Sequence, residues 1–174
     1  MGRADQKIIA DRYQVCPRTL CFITHGGAVL LLHGASDKRI WPDRYNGVGG
    51  HVKPEEDVFT AAQREIREET GLRVHDLRLR GVINIPVDAQ DSGVLLFVFT
   101  AGAATRDVCA SEEGSPEWIP IDEIDRLDLV EDLHILLPRV LAMGRDDPPF
   151  YALYTYDGDD ELVITFASTE PCPG

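Results

Sequence analysis

Residues 50–72 read GHVKPEEDVFTAAQREIREETGL, and they hold the strongest pattern in this chain, with five glutamates and one aspartate. Glu65, Glu68 and Glu69 are spaced i, i+3 and i+4, which places their side chains on one face of an α-helix. Carboxylates crowded in this way repel one another unless a cation lies between them, and Mg²⁺ prefers oxygen ligands of this kind. The spacing therefore predicts a metal site on a helix.

The predicted helix covers residues 56–70 and carries an apolar stripe. At about 100° per residue, the stripe consists of Val58, Phe59, Ala62 and Ile66. Glu69 projects inside it and Glu65 and Glu68 lie along its flank, whereas Glu56 falls on the opposite side. A charged surface helix is the alternative interpretation. The position of the acids at the buried edge favours the metal site.

Three further features belong to the same stretch. Arg64 lies four residues before Glu68, a spacing that allows a salt bridge able to hold that carboxylate in one rotamer. Gly71 follows the last predicted helical residue and suits the left-handed conformation that ends many helices. Glu56 lies near the helix N-terminus, where a negative charge is favoured, and we expect a structural role for it.

The whole stretch resembles the Nudix box, G-x5-E-x7-R-E-U-x-E-E-x-G-U, where U is an aliphatic residue. Its nine defined positions are all matched, by Gly50, Glu56, Arg64, Glu65, Ile66, Glu68, Glu69, Gly71 and Leu72. Nine positions at fixed spacing make a specific motif. The resemblance implies a single Nudix hydrolase domain over residues 1–174, with the box at 50–72 and roughly the first 15 and last 7 residues peripheral.

The rest of the chain alternates predicted strands with helices. Strands are predicted at 17–33 (two, around a turn at 25–27), 73–86, 93–100, 117–120, 151–156 and 161–166. Residues 34–55 are predicted as a loop, 121–127 as a short helix or turn, and 131–142 as a helix containing Pro138. This order indicates an α/β protein with a mixed β-sheet, in keeping with the Nudix-type α/β/α sandwich that the resemblance implies.

Composition limits the partners. The 174 residues carry a net charge of −13, from 30 acids against 17 bases, which disfavours binding to nucleic acid polymers and anionic membranes. The chain has no apolar run long enough to span a membrane, no secretory signal pattern and no paired spacing among its four cysteines. We expect a cytoplasmic protein that binds a small molecule. The oligomeric state is left open.

Nudix enzymes cleave a nucleoside diphosphate that is linked to another group, so the resemblance implies a hydrolase. It assigns the catalytic set to Arg64 and the three glutamates of the predicted metal site. Those glutamates and the Gly49 carbonyl would bind Mg²⁺, for which Mn²⁺ could substitute. Glu65 is one candidate for the general base. Glycine at 49 and 50 allows the backbone to approach metal and phosphate closely.

The family also implies an acid on a loop beyond the box that completes the metal site. Glu113, three residues before Pro116, matches that acid, with its neighbour Glu112 as the alternative. A solvated loop carboxylate is the competing interpretation of Glu113.

A looser resemblance, over residues 18–167, is to the 8-oxo-dGTP diphosphatase branch of the family. It rests on YNGVGG at 45–50 and PEWIPIDEI at 116–124. It implies that Asn46 contacts a purine, although an asparagine before glycine also forms turns. The aromatic residue expected before the last helix is replaced by Val130. Asp132 could accept hydrogen bonds from a base, or act only at the helix start.

Three functions follow from these observations. The first is a Mg²⁺-dependent nucleoside triphosphate pyrophosphohydrolase that acts on modified purine nucleotides such as 8-oxo-dGTP and releases the nucleoside monophosphate and pyrophosphate. The second is a hydrolase of another nucleoside diphosphate derivative, such as ADP-ribose or a dinucleotide polyphosphate. The third is a non-catalytic nucleotide-sensing module. Such modules usually have an eroded box, so the intact glutamates argue against the third.

Overall fold

A computed structural model describes residues 12–36, 41–88, 92–111 and 114–168. Its strands are β1 (Gln14–His25), β2 (Ala28–His33), β3 (Tyr45–Asn46), β4 (Val74–Asp88), β5 (Ser92–Ala103), β6 (Ser115–Pro120), β7 (Phe150–Tyr156) and β8 (Leu162–Phe166). Its helices are α1 (Val58–Thr70), a 3₁₀ helix (Ile121–Arg126) and α2 (Leu133–Ala142). The predicted metal ligand Glu113 and its neighbour Glu112 lie outside the described residues.

The strands form one mixed sheet in the order β3-β2-β1-β5-β4-β7-β8, with β6 paired to β2. The pairs β1–β5 and β4–β7 are parallel, and the other pairs are antiparallel. The predicted mixed sheet and α/β class are confirmed. The long parallel pairing of β1 with β5, together with its antiparallel pairing with β2 from Ile23 to His25, puts β1 in the interior of the sheet.

Each face of the sheet packs against one α-helix. Leu20 and Phe22 of β1 point to the face that holds the apolar side of α2, whereas Cys21 and Ile23 point to the face that holds Ile66 of α1. Successive side chains of a strand alternate between faces, so β1 contributes to both cores. We name these faces the α2 face and the α1 face. Together they make the predicted three-layer arrangement.

Helix α1 begins two residues later than predicted, because Asp57 is its N-cap. The Asp57 carboxylate accepts hydrogen bonds from the N–H groups of Phe59 and Thr60, both at 2.9 Å. The helix ends at Gly71, whose φ of 75° is left-handed, as predicted. The predicted apolar stripe is too wide: Ile66 is fully buried, but Phe59 is 44% exposed. The Phe59 ring makes an edge contact with the Phe99 ring of the sheet.

The predicted loop 34–55 contains the short strand β3. Its backbone bonds join it to the segment before α2, since Tyr45 N–H donates to the Asp128 carbonyl and Val130 N–H donates to the Tyr45 carbonyl. A strand of two residues is too short to show an alternation of apolar and polar residues. The sequence therefore gives no signal of this pairing between distant segments.

Neither α1 nor α2, the two α-helices of the described ranges, is long and apolar enough to cross a membrane.

Candidate active site

The Gly49–Gly50 backbone lies directly on β1. Thr19 N–H donates to the Gly50 carbonyl at 2.9 Å, and Val48 and Cys21 exchange two backbone hydrogen bonds. A Cβ atom on Gly49 would collide with the Thr19 carbonyl, and one on Gly50 would lie 2.5 Å from a Glu65 carboxylate oxygen. Only glycine fits at position 49, where the obstacle is backbone, and at position 50 a side chain would displace the Glu65 carboxylate that packs there.

Glu69 ties α1 to this loop. Its side chain points to the sheet and the residue is 6% exposed, so the sequence-based placement on the inner edge of the helix is confirmed. Its Oε2 accepts a hydrogen bond from Gly49 N–H at 3.1 Å. A buried carboxylate is tolerated only where donors surround it, and the backbone N–H provides one.

Arg64 joins three carboxylates. Its Nη2 and Nε contact Glu56 at 2.5 and 2.9 Å, and its Nη1 contacts Glu65 at 2.8 Å and Glu68 at 3.0 Å. Its Nη2 also donates to the His51 carbonyl at 3.0 Å. The predicted salt bridge from Arg64 to Glu68 is confirmed. A single guanidinium thus acts as the counter-ion of the acids around the loop.

Glu56 is not on the solvent side, contrary to the helical projection. Its side chain is 8% exposed and forms a two-atom contact with Arg64. Glu56 precedes the helix, so the projection does not apply to it. The hydrogen bond from Arg64, with a second from Lys53 N–H, lowers the pKa of Glu56 to about 2. The same contact is the largest cause that raises the pKa of Arg64.

The three predicted metal ligands are close in the fold, but they do not all contact the same group. Glu65 and Glu68 bind Arg64, Glu69 binds the Gly49 N–H, and the Glu68 side chain is 55% exposed. Among the described residues, no three His, Cys, Asp or Glu side chains converge in a way that could hold a metal ion. The metal roles of these residues, of Gly49 and of Glu113 stay predictions.

The chemistry of the donors fits a hard dication. Glu65 and Glu69 approach the Gly49–Gly50 backbone, and carboxylate and carbonyl oxygens are the ligands that Mg²⁺ prefers. Both carboxylates also act on the Cys21 thiol beneath the loop. Burial raises the pKa of Cys21, and the charges of Glu69 and Glu65 raise it further, so the thiol is neutral. Cys21 has no motif in the sequence that marks it as part of this site.

Asp132 forms a second polar position, on the α2 face. It lies at the start of α2, where its side chain makes no capping hydrogen bond, and burial raises its pKa to about 6. The Tyr154 hydroxyl interacts with this carboxylate, although the geometry falls short of a complete hydrogen bond. Tyr154 comes from the closing hairpin, and its role was not predicted because only the tertiary fold brings β7 to the start of α2.

Asn46 has a local role. Its Oδ1 accepts a hydrogen bond from Gly47 N–H at 2.7 Å, the turn-forming contact expected of an asparagine before glycine. Its predicted contact with a purine is not tested. Strand β3 hydrogen-bonds to residues 128–130, which lead to Asp132, so the backbone holds the two predicted base-binding segments side by side.

In the part of the chain that the structure describes, two buried side-chain polar atoms have no hydrogen-bond partner, Arg18 Nε and the Tyr154 hydroxyl. Arg18 lies two residues before Leu20 and four before Phe22 on β1, so all three share one face of the strand. Leu20 and Phe22 pack in the same core as Tyr154, so Arg18 faces that side of the sheet. Buried polar groups are nearly always paired in folded proteins, so these two atoms are exceptions on the α2 face.

Comparison with known proteins agrees with this geometry. The family model described as the NUDIX domain matches residues 16–140. This chain belongs to the Nudix hydrolase family. Nudix relatives include the protein named "Oxidized purine nucleoside triphosphate hydrolase" in Mus musculus, 31% identical over 152 residues that cover 87% of this chain and 93% of the relative. The protein of the same name in Danio rerio is 29% identical over 145 residues, 83% of this chain and 89% of the relative.

Other Nudix proteins extend the comparison. "Nucleoside triphosphatase NudI" of an Enterobacter species is 32% identical over 131 residues, which cover 70% of this chain and 90% of the relative. The crystal structure of a MutT protein from Bacillus halodurans superposes with a TM-score of 0.74 at 26% identity, over 90% of this chain and 100% of that chain. The Nudix fold predicted from the box is therefore confirmed.

Proposed function

We propose that this chain is a Mg²⁺-dependent nucleoside triphosphate pyrophosphohydrolase that acts on modified purine nucleotides. Water would attack a phosphorus of the triphosphate, and the products would be a nucleoside monophosphate and pyrophosphate. The partner is a small-molecule nucleotide rather than a nucleic acid polymer or a membrane, and the cytoplasm is the expected compartment. Mn²⁺ would substitute for Mg²⁺, since both take oxygen ligands.

The observation that carries the proposal is the complete Nudix box folded against Gly49–Gly50. Arg64 holds Glu56, Glu65 and Glu68 in one hydrogen-bonded cluster beside a backbone that has no room for side chains. A phosphate chain could approach this backbone without a steric barrier. The names of the relatives from mouse, zebrafish and Enterobacter, all hydrolases of nucleoside triphosphates or triphosphatases, support the substrate class.

The residues of this chain would divide the work. Glu69 anchors the loop to α1 and Arg64 orients Glu65 and Glu68, so the carboxylates are positioned before a substrate arrives. When bound, Mg²⁺ would neutralise phosphate charge and acidify a water molecule. Glu65, which packs on Gly50, is the carboxylate proposed to take the proton from the attacking water.

The α2 face would receive the base. Asp132 has a pKa of about 6, so its carboxyl group changes between donor and acceptor close to neutral pH. The Tyr154 hydroxyl beside it lacks a complete hydrogen bond within the described residues and can pair with a polar atom of a base. Asn46, on the neighbouring strand β3, is proposed to add a further contact. A purine edge carries donors and acceptors that suit such a set.

A substrate panel tests the proposal. The protein is incubated with 8-oxo-dGTP, dGTP, dATP, ADP-ribose and a diadenosine polyphosphate under identical Mg²⁺, and the products are separated by ion-exchange chromatography. We expect the highest kcat/KM for the oxidised purine nucleotide, with release of pyrophosphate. Preferred cleavage of ADP-ribose to a sugar phosphate would replace this proposal by the second function. Binding without turnover of any compound would support the sensing module.

A further inference from the structure

A basic pocket lies apart from the candidate active site. It is a cavity of about 370 Å³ between the ends of β1, β4 and β5 and the C-terminal end of α2. Its charged lining consists of His75, Asp76, Arg78, Arg80 and Arg145. Three arginines thus face one carboxylate in a chain whose net charge is −13. Such a local excess of positive charge attracts anions that the rest of the surface repels.

Arg80 is the buried member of this group. The residue is 7% exposed, and its guanidinium donates to the Thr100 hydroxyl and to the Gly144 carbonyl, both at 2.7 Å. Both partners are neutral, and no carboxylate lies within ion-pair distance of Arg80 among residues 12–36, 41–88, 92–111 and 114–168. A buried charge without a counter-ion is costly unless an anion compensates it.

The remaining two arginines share Asp76. Arg78 lies 3.3 Å and Arg145 3.4 Å from the same Asp76 oxygen, and the His75 imidazole is 3.9 Å from the other oxygen. One carboxylate cannot neutralise two guanidinium groups, so the pocket keeps a positive charge even without the contribution of Arg80.

The backbone of β4 is irregular at these residues. Its pairing with β5 shifts register between His75 and Arg78 and again between Leu79 and Gly81. Asp76 has a φ of 52°, in the left-handed region that is unusual for a residue other than glycine. Bulges of this kind re-aim side chains and are frequent beside binding sites. Here the first shift precedes Arg78 and the second contains Arg80, and both arginines line the pocket.

We propose that this pocket is a second binding site, for a phosphorylated small molecule. Its phosphate would contact Arg78, Arg80 and Arg145, because guanidinium groups bind phosphate oxygens through paired hydrogen bonds. Its organic part would pack on Leu141 and Met143, which form the apolar side of the cavity. The cavity volume falls within the range of small-molecule sites.

The pocket is distinct from the proposed catalytic site. It touches α2 at Val140 and Leu141, roughly 13 Å along the helix from Asp132 at 1.5 Å per residue. Its lining includes no residue of the Nudix box. The proposal therefore goes beyond the proposed function, and it does not depend on turnover.

Isothermal titration calorimetry of the full chain in EDTA tests the proposal, with GMP, inorganic pyrophosphate and inorganic phosphate as probes. The chelator removes metal-bridged binding at the box carboxylates. We expect saturable binding of GMP and pyrophosphate that weakens about tenfold or more in the double variant Arg78→Gln/Arg145→Gln. Arg126→Gln, at an exposed arginine of the 3₁₀ helix, is the matched control and should bind like the wild type.

Two results would overturn the proposal. The first is the absence of saturable binding of all three probes, or equal affinity in the double variant and the wild type. The second is equal affinity for inorganic phosphate and GMP. It would show that the organic part of the ligand makes no contact in the pocket, so the site would not be one for a phosphorylated small molecule. Arg80→Gln adds a check at the buried position, with circular dichroism to verify folding. The double variant remains decisive if Arg80→Gln does not fold.

Discussion

At the scale of single residues, a substitution at Glu69 can distinguish its structural role from its chemical role. Its carboxylate is buried and holds the Gly49 N–H, and glutamine can accept the same hydrogen bond without the charge. We expect Glu69→Gln to fold normally and to lower kcat on the order of 10² or more, because a neutral amide is a poor ligand for Mg²⁺. Steady-state kinetics with the substrate of the panel measures the effect.

Glu68→Gln should lower kcat to a similar extent, since Glu68 belongs to the same predicted ligand set. The matched control is Glu55→Gln, at an exposed glutamate of the box that precedes the helix. It should keep the wild-type rate. A near-normal kcat in either Glu68→Gln or Glu69→Gln would show that the metal assignment is wrong.

The raised pKa of Asp132 predicts a pH effect on stability. Between the ordinary pKa of 3.8 and about 6, the folded protein holds this proton more tightly than the unfolded chain, so the group lowers the free energy of unfolding as pH rises through that window. Above pH 6, Asp132→Asn should therefore be more stable than the wild type, by about 1–3 kcal/mol. The difference should disappear near pH 4.

Urea unfolding at pH 4 and pH 8 measures this difference. Asp125→Asn, at an exposed aspartate of the 3₁₀ helix, is the control and should show no pH-dependent change of this size. If Asp132→Asn is equally stable relative to the wild type at both pH values, the carboxyl group is not desolvated in the way the structure indicates.

At the scale of elements, α1 depends on its N-cap. The Asp57 carboxylate accepts from two backbone N–H groups and from the Thr60 hydroxyl. Asp57→Ala removes all three bonds and should lower the free energy of unfolding by about 1 kcal/mol, whereas Asp57→Ser keeps a capping oxygen and should lose less. Chemical denaturation of both variants checks this order. The opposite order would mean that Asp57 does not cap α1.

The sequence was most informative where a pattern is local. The period of α1, the turn at Gly26–Gly27 and the closing hairpin predicted elements that are present within a few residues of their bounds. Strand β3 was missed because it has only two residues and because two of its backbone hydrogen bonds join it to Asp128 and Val130, more than 80 positions away in the chain. Phe59 was misplaced because a helical projection gives direction but not the width of the surface that the sheet covers.

Within the site, the same limit applies to side chains. The box identified Arg64 and the glutamates, and the contact of Arg64 with Glu68 follows from i, i+4 spacing. The position of Glu56 depends on how the loop returns to Arg64, and the position of Tyr154 depends on strand order. Neither is a local property. The basic pocket was missed for the same reason, since Arg78, Arg80 and Arg145 come from two distant segments.

At the scale of the whole molecule, the net charge of −13 makes cation binding a stabilising process. Millimolar Mg²⁺ should raise Tm more than NaCl at the same ionic strength, because a specific site binds only the folded state. Thermal denaturation followed by circular dichroism measures both shifts. Glu69→Gln should abolish the excess due to Mg²⁺. An equal rise with both salts would indicate screening alone.

The contacts of Arg64 have a consequence for how any metal enters the protein. Arg64 contacts Glu65 through Oε1 and Glu68 through Oε2, so the second oxygen of each carboxylate would remain for a dication without displacement of the guanidinium. A dication bound there would leave the contacts of Arg64 in place, the shortest of them to Glu56. Glu65 and Glu68 stay side by side on α1 in either state, and the helix itself need not rearrange.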